Sequence, residues 1–246
     1  MDATVFLAVL VGFAAQMIDG ALGMAYGVSS TTFLLSLGIP PATASASVHT
    51  AEVFTTGVSG LSHHRLGNID RALMKGLVIP GVIGGVLGAY VLTALPGDKI
   101  RPWVSLYLLV MGLVIIRKAL YKGHHTQRAR RIAGLGFAGG FLDAIGGGGW
   151  GPVVTSTLVA NGSHPRYAVG SVNAAEFFVT VAQAVAFFLM VGLVDWKIIL
   201  GLVAGGVVAA PLAARVCKRL PARTLMVMVG VLIVALSLRT LFKAWF

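Results

Sequence analysis

Four acids and one histidine stand in stretches of this sequence that are otherwise almost wholly apolar. They are Asp19, His49, Glu52, Asp143 and Glu176. An ionisable side chain at the centre of a bilayer costs roughly 2.5–3.5 kcal/mol on insertion scales, so such residues usually line a pathway or a site. Carboxylates there can exchange protons, ligate a cation or tie down backbone N–H groups. Imidazole adds a group that titrates near neutral pH when unperturbed. On a helix, residues three apart share a face, which pairs His49 with Glu52 and Asn173 with Glu176.

The acids recur because the chain repeats. Residues 12–56 align with 136–180 without a gap, matching Asp19 with Asp143, Gly23 with Gly147, Gly27 with Gly151, Thr31 with Thr155, Ser47 with Ser171 and Glu52 with Glu176. One matched pair differs in chemistry, His49 against Asn173. Only the first half can therefore sense or carry a proton at that position. Duplicated halves with acids at matched depth are the pattern of a secondary transporter.

Each copy of Asp precedes a glycine-rich stretch. Asp143 is followed by Gly146, Gly147, Gly148, Gly149, Trp150 and Gly151, and Asp19 by Gly23, Tyr26 and Gly27. Glycine costs a helix roughly 1 kcal/mol against Ala, so these stretches are expected to break their helices. A break inside a bilayer exposes backbone N–H groups, and the next short helix points its positive end at them; together these make an anion site. The other reading of the glycines is close helix packing through small residues. The hydroxyls of Thr31, Thr155, Ser47 and Ser171 and the amide of Asn173 are further candidate ligands. Tyr26 and Trp150 are matched aromatics, suited to packing or gating. Asp19, Asp143, His49, Glu52 and Glu176 are assigned to proton coupling or to structural bracing.

The elements that must hold these residues are membrane helices. The chain is 57% hydrophobic and 11% charged, with a mean hydropathy of +0.89, whereas soluble domains are about 25% charged. Segments 76–94, 102–116, 198–214 and 224–238 carry no charge and approach the ~20 residues that cross a hydrocarbon core. The net charge of +11 is explained by basic loops and helix ends, following the positive-inside rule, and not by nucleic-acid binding. The N-terminal Met1–Thr4 lacks the basic region of a signal peptide, so the first apolar stretch is expected to be retained. Cys217 is the single cysteine, which leaves no intrachain disulfide and no cysteine-rich metal site.

The expected fold is an all-α polytopic membrane protein of two internal repeats, 1–121 and 132–246, joined by a basic cytoplasmic linker, 122–131. Each repeat contains a short helix (4–18, 132–145), a break, a second short helix (28–37, 152–161), a Gly-x-x-Pro turn (Gly38–Pro41, Gly162–Pro165) and three longer helices (42–64, 73–94 and 102–120; 166–190, 197–216 and 223–243). If the two short helices form one broken span, the repeats are parallel. If they form a re-entrant hairpin, the repeats are inverted. Charge favours inversion: 14 of the 19 Lys and Arg then fall inside, against 12 in the parallel arrangement. The pairs His63–His64 and His124–His125 are expected to be solvated members of basic loops.

The run Gly-Phe-Ala-Gly-Gly-Phe-Leu-Asp-Ala-Ile-Gly-Gly-Gly-Gly-Trp-Gly-Pro at 136–152 resembles the signature of the sulfite exporter TauE/SafE family. So do the repeated Gly-x-x-Pro turn, the Ser-Val-x-x-Ala-Glu stretch and the Gly-x-x-Asp before the helix at 73–94. The first half departs from the glycine-rich pattern, reading Ala21-Leu22-Gly23-Met24-Ala25-Tyr26-Gly27. The resemblance covers nearly the whole chain. It implies a permease of the bacterial or archaeal cytoplasmic membrane that moves small sulfur-containing anions, with sulfite and organosulfonates the usual substrates. The leading expectation is thus an exporter of a small oxyanion in the lipid bilayer, coupled to protons, with no cofactor, no resident metal and no enzymatic chemistry. The alternative is a cation or divalent metal transporter using the intramembrane acids and His49. A non-transporting membrane scaffold is disfavoured by the lack of a soluble domain.

Overall fold

A computed structural model of the chain describes residues 3–120, 132–161, 163–192, 196–216 and 222–245. The expected linker, Gly162 of the second turn, His124, His125 and Cys217 lie outside the described residues. Those residues are helical throughout, with no strand among them. The first part contains α1 (Ala3–Leu22), α2 (Tyr26–Ser36), α3 (Pro41–Arg65), α4 (Arg71–Ala94) and α5 (Gly97–Leu120). The second contains α6 (Ile132–Gly146), a π-helical turn (Gly151–Thr155) running into α7 (Ser156–Ala160), then α8 (Pro165–Val191), α9 (Trp196–Val216) and α10 (Ala222–Trp245). Five helices are long and apolar enough to cross a membrane: 4–22, α4, α5, α8 and 196–215. The chain is an integral membrane protein.

Local chemistry sets the helix ends. Pro41 and Pro165 open α3 and α8, where a missing N–H costs nothing and the fixed φ suits a first turn. Asp70 caps α4, its side chain accepting from Ala72 and Leu73 N–H at 2.9 and 3.1 Å; such a cap stabilises a helix by ~1 kcal/mol. The π-helical turn follows directly from the four-glycine run, and π segments often mark functional sites. Large apolar side chains such as Phe6, Ile79, Trp103, Leu189 and Phe242 point outward, as a lipid-facing surface requires.

The helices from the two parts interlock. α1 lies along α9, and α4 along α6. Glycines bring the backbones close: a side chain at Gly12 would strike the Leu202 backbone, one at Gly205 the Val9 carbonyl, and one at Gly140 the Gly81 carbonyl. Without a hydrophobic driving force between helices in lipid, this close packing carries the association. α3 and α8 cross antiparallel at the centre. Ser59 meets Asn173, Thr56 meets Thr180 and the His49 ring lies 5.6 Å from that of Phe187. α5 and α10 are also antiparallel, with Gly112 beside Ile233 and Gly230 beside Ile116.

One expectation for the loops is corrected. His63 lies in the last turn of α3 and is fully buried. Its Nε2–H donates to Gly20 O at 3.0 Å, and its Nδ1 accepts from Asn68 Nδ2 at 3.1 Å. Asn68 in turn accepts from Arg166 Nε. The neighbouring basic residues suggested solvent, but the last turn of α3 packs against α1 at Gly20. His64 is exposed.

Candidate functional site

The two expected breaks are present, at Gly23–Ala25 and Gly147–Gly149, and they face each other. Gly23 (φ 68°), Ala25 (φ 96°) and Gly147 (φ 63°) take left-handed backbone, with Gly148 at φ 156°. Glycine enters these regions at no steric cost. Ala25, which matches Gly149, does so against a penalty of roughly 1–2 kcal/mol. A Cβ on Gly27 would lie 2.7 Å from Gly148 Cα, and one on Gly148 would overlap the Val28 amide. The breaks thus pack backbone to backbone.

Two threonines lock this contact. Thr31 Oγ1 donates to Gly147 O at 2.5 Å, and Thr155 Oγ1 donates to Gly23 O at 2.6 Å. Both hydroxyls are committed to the opposite break. The matched aromatics are buried braces: Tyr26 OH donates to Leu202 O at 3.3 Å, and Trp150 Nε1–H to Val172 O at 3.2 Å. Trp150 also packs on Gly81 and Gly139.

Asp143 occupies the amides of the second break. Its Oδ1 accepts from Gly149 N–H at 2.7 Å and Trp150 N–H at 3.0 Å. Its backbone carbonyl takes the Gly148 N–H at 3.0 Å. Its Oδ2 lies 3.1 Å from His49 Nε2 and accepts from Gln183 Nε2–H at 3.1 Å. A carboxylate with several N–H donors is a well-satisfied buried charge. Asp19, its match, is held differently: it meets the Tyr26 backbone N–H, but its Oδ2 has no hydrogen-bond partner among the described residues. Buried Gln16 beside it likewise lacks described partners at both side-chain atoms.

The acids converge. Asp19, Glu52, Asp143 and Glu176 are all buried and lie within electrostatic reach of one another. Glu52 Oε2 is 4.0 Å from His49 Nε2 and has no hydrogen-bond partner among the described residues. His49, Glu52 and Asp143 offer donor atoms within 4.8 Å of one another. A zinc-like ion keeps bonds of ~2.0–2.2 Å, which sets tetrahedral neighbours roughly 3.3–3.6 Å apart. The Glu52–His49 separation is wider, so these donors are not closed around such an ion.

The remaining candidates lie outside the cluster or serve other contacts. Ser47 donates to Thr43 O within α3, and Ser171 bonds the backbone of Asp70 at the start of α4. Asn173 accepts from Ser59 at 2.6 Å and donates to Val169 O, so the His49 counterpart has no acid partner. Gly146 packs against the Tyr107 ring. Three residues join the site without having been singled out in sequence. Gln183 holds Asp143; its place seven residues after Glu176, on the same helix face, was the available signal. Ser45, one turn before His49, donates to Ala144 O at 2.7 Å. Tyr107 donates to Gly148 O at 3.2 Å, and nothing in its neighbourhood marks it.

Buried acids and facing helix breaks within a bundle of membrane-spanning helices are the parts of a transporter, and comparison with known proteins agrees. The family model described as sulfite exporter TauE/SafE matches residues 8–240. The chain is 46% identical over 245 residues to the probable membrane transporter protein YtnM of Bacillus subtilis (strain 168), covering 96% of this chain and 82% of that protein. No solved structure matches the chain. The chain belongs to the sulfite exporter TauE/SafE family and is a membrane transporter.

Proposed function

We propose that this transporter exports a small sulfur-containing oxyanion, such as sulfite or an organosulfonate, from a bacterial or archaeal cytoplasm in exchange for protons. The observation that carries this reading is the carboxylate of Asp143 on the Gly149 and Trp150 amides. A carboxylate is itself an oxyanion. Amides that hold one at 2.7–3.0 Å suit the oxygens of another once Asp143 moves aside. The family name and the relative's name support transport; the substrate class is inferred from the amides and the family together.

The repeats are read as inverted, with 1–121 and 132–246 joined by a cytoplasmic linker at 122–131. Equivalent helices that cross antiparallel support this, since Thr56 and its match Thr180 meet at the centre of the α3–α8 crossing. α1 runs parallel to α9, pairing Gly12 with Leu202 and Gly20 with Ala213. α1 therefore starts on the membrane face where α3 starts, and α2 must return to that face. Each pair of short helices is then a re-entrant hairpin, tolerated at membrane depth because protein surrounds the non-helical backbone. Transport requires the two hairpins to part, breaking the Thr31 and Thr155 contacts in turn.

The test is flux in proteoliposomes loaded with sulfite, a simple alkanesulfonate, sulfate, or a divalent metal ion. Sulfite or sulfonate flux that responds to an imposed proton gradient supports the reading. Metal flux without oxyanion flux overturns it.

A further inference from the structure

Both nitrogens of His49 can be assigned from geometry. Nδ1 lies 2.7 Å from Ser45 O and 3.2 Å from Ser45 Oγ. A carbonyl only accepts. The hydroxyl hydrogen of Ser45 is spent on Ala144 O at 2.7 Å. Nδ1 therefore carries a hydrogen. Nε2 then faces Asp143 Oδ2 at 3.1 Å, and that oxygen belongs to a carboxylate already accepting from Gly149, Trp150 and Gln183. Two lone pairs do not face each other at this distance in a buried site. A hydrogen therefore lies between Nε2 and Oδ2; placed on nitrogen, it makes the ring an imidazolium against the Asp143 carboxylate. His63 provides the contrast: one nitrogen donates to Gly20 O and the other accepts from Asn68, the pattern of a neutral ring.

We propose that His49, Asp143 and Glu52 form a proton-operated latch: the proton on His49 Nε2 holds Asp143 on the second break, and its transfer to Glu52 releases Asp143 so that a substrate oxyanion can take the Gly149 and Trp150 amides. The inference rests on the oxyanion reading above. In the transfer the Nε2–H bond breaks, its electron pair stays on nitrogen, and an O–H bond forms on Glu52 Oε2. That oxygen is buried, without a hydrogen-bond partner among the described residues and 4.0 Å from Nε2, so a small side-chain rotation closes the gap. Charge is conserved, since imidazolium and carboxylate become two neutral groups. Asp143 Oδ2 then faces a lone pair and is repelled.

The other groups facing His49 do not replace this role. Asp19 on α1 and Glu176 on α8 complete the acid cluster. Tyr26 on α2 and Tyr107 on α5 donate to Leu202 O and Gly148 O. Gln183 on α8 bonds Asp143, and Phe187 on α8 stacks at 5.6 Å. α4 and α9 are uncharged over 76–94 and 198–214. Because the second copy has Asn173, paired with Ser59, the latch exists on one side only. The His49-bound proton and the substrate anion thus hold the break alternately.

The experiment uses full-length protein with ¹⁵N-labelled histidine in nanodiscs, at one pH, without and with saturating sulfite. His49→Asn assigns the His49 signals. The result expected is hydrogen on both ring nitrogens without sulfite and on Nδ1 alone with it. In parallel, hydrogen exchange at Gly149 and Trp150 without sulfite should be at least tenfold faster in His49→Asn than in the native protein, or in His49→Gln if the first variant does not accumulate. A His49 ring with a lone pair at Nε2 without sulfite, or unchanged protection of Gly149 and Trp150 in the variants, overturns the latch. Both nitrogens protonated and the amides protected, in a protein whose ring ignores sulfite and which moves neither sulfite nor sulfonate, would instead overturn the substrate reading alone.

Discussion

Thr31 and Thr155 tie the two helix breaks together reciprocally, each donating its hydroxyl to a carbonyl of the break in the other half of the chain, at 2.5 and 2.6 Å. The residues match in the internal alignment, and so do their acceptors, Gly147 and Gly23. A contact of this kind closes the centre of the protein symmetrically and must open for anything to pass.

Thr31→Val and Thr155→Val keep shape and remove the donor. Each leaves a buried carbonyl unsatisfied, at a cost of about 1–3 kcal/mol. The two variants should destabilise similarly, and the double variant should lose less than the sum, since the contacts share one interface. Thermal denaturation of the four proteins in mild detergent checks this. Full additivity would mean that the two contacts open independently.

The backbone at the breaks gives opposite expectations for two small changes. Ala25 occupies left-handed backbone at φ 96°, so Ala25→Gly should stabilise by about 1 kcal/mol. Gly148→Ala should do the reverse, because its Cβ would overlap Val28 and Gly27. The yield of folded protein and its melting midpoint report both. A neutral Gly148→Ala would show that the breaks separate at little cost.

Asp143 and Asp19 match in sequence but not in surroundings. Asp143→Ala leaves His49, Gln183 and the Gly149 and Trp150 amides without their shared buried partner, at about 1–3 kcal/mol for each group left unsatisfied. Asp19→Ala removes a carboxylate whose Oδ2 has no hydrogen-bond partner among the described residues, and should cost clearly less. Unfolding of both variants under identical conditions measures the difference. Equal losses would contradict the asymmetry between the halves.

Topology is open to labelling. With Cys217 replaced by Ser, single cysteines at Leu66 and Tyr167 should react with an impermeant reagent from one face of the membrane, since Arg166 bonds Leu66 O. Cysteines at Leu37 and Leu95 should react from the other face, where Arg101 bonds Leu35 O and Gly97 meets Pro40. All four residues are exposed. Leu66 and Tyr167 reacting from opposite faces would exclude inverted repeats.

The sequence by itself determined the parts. Uncharged runs near bilayer length marked α4, α5, α9 and α10. Gly23 and Gly147 marked the breaks, because glycine lowers the cost of leaving a helix at those positions. The acids stood out because burying charge in lipid is expensive. Each of these signals is local, carried by composition or by spacing along one helix. Tertiary structure alone decided the partners. That Asp143 caps its own break and meets His49 from another helix depends on α3 crossing α6. That Thr31 and Thr155 serve the breaks, while Ser47 and Ser171 lie apart from them, depends on how α1 lies on α9 and α4 on α6. His63 turned inward for the same reason. Contacts across more than a hundred residues arise from the close approach of helix backbones at glycine, and no spacing along a single helix encodes which backbone will be there.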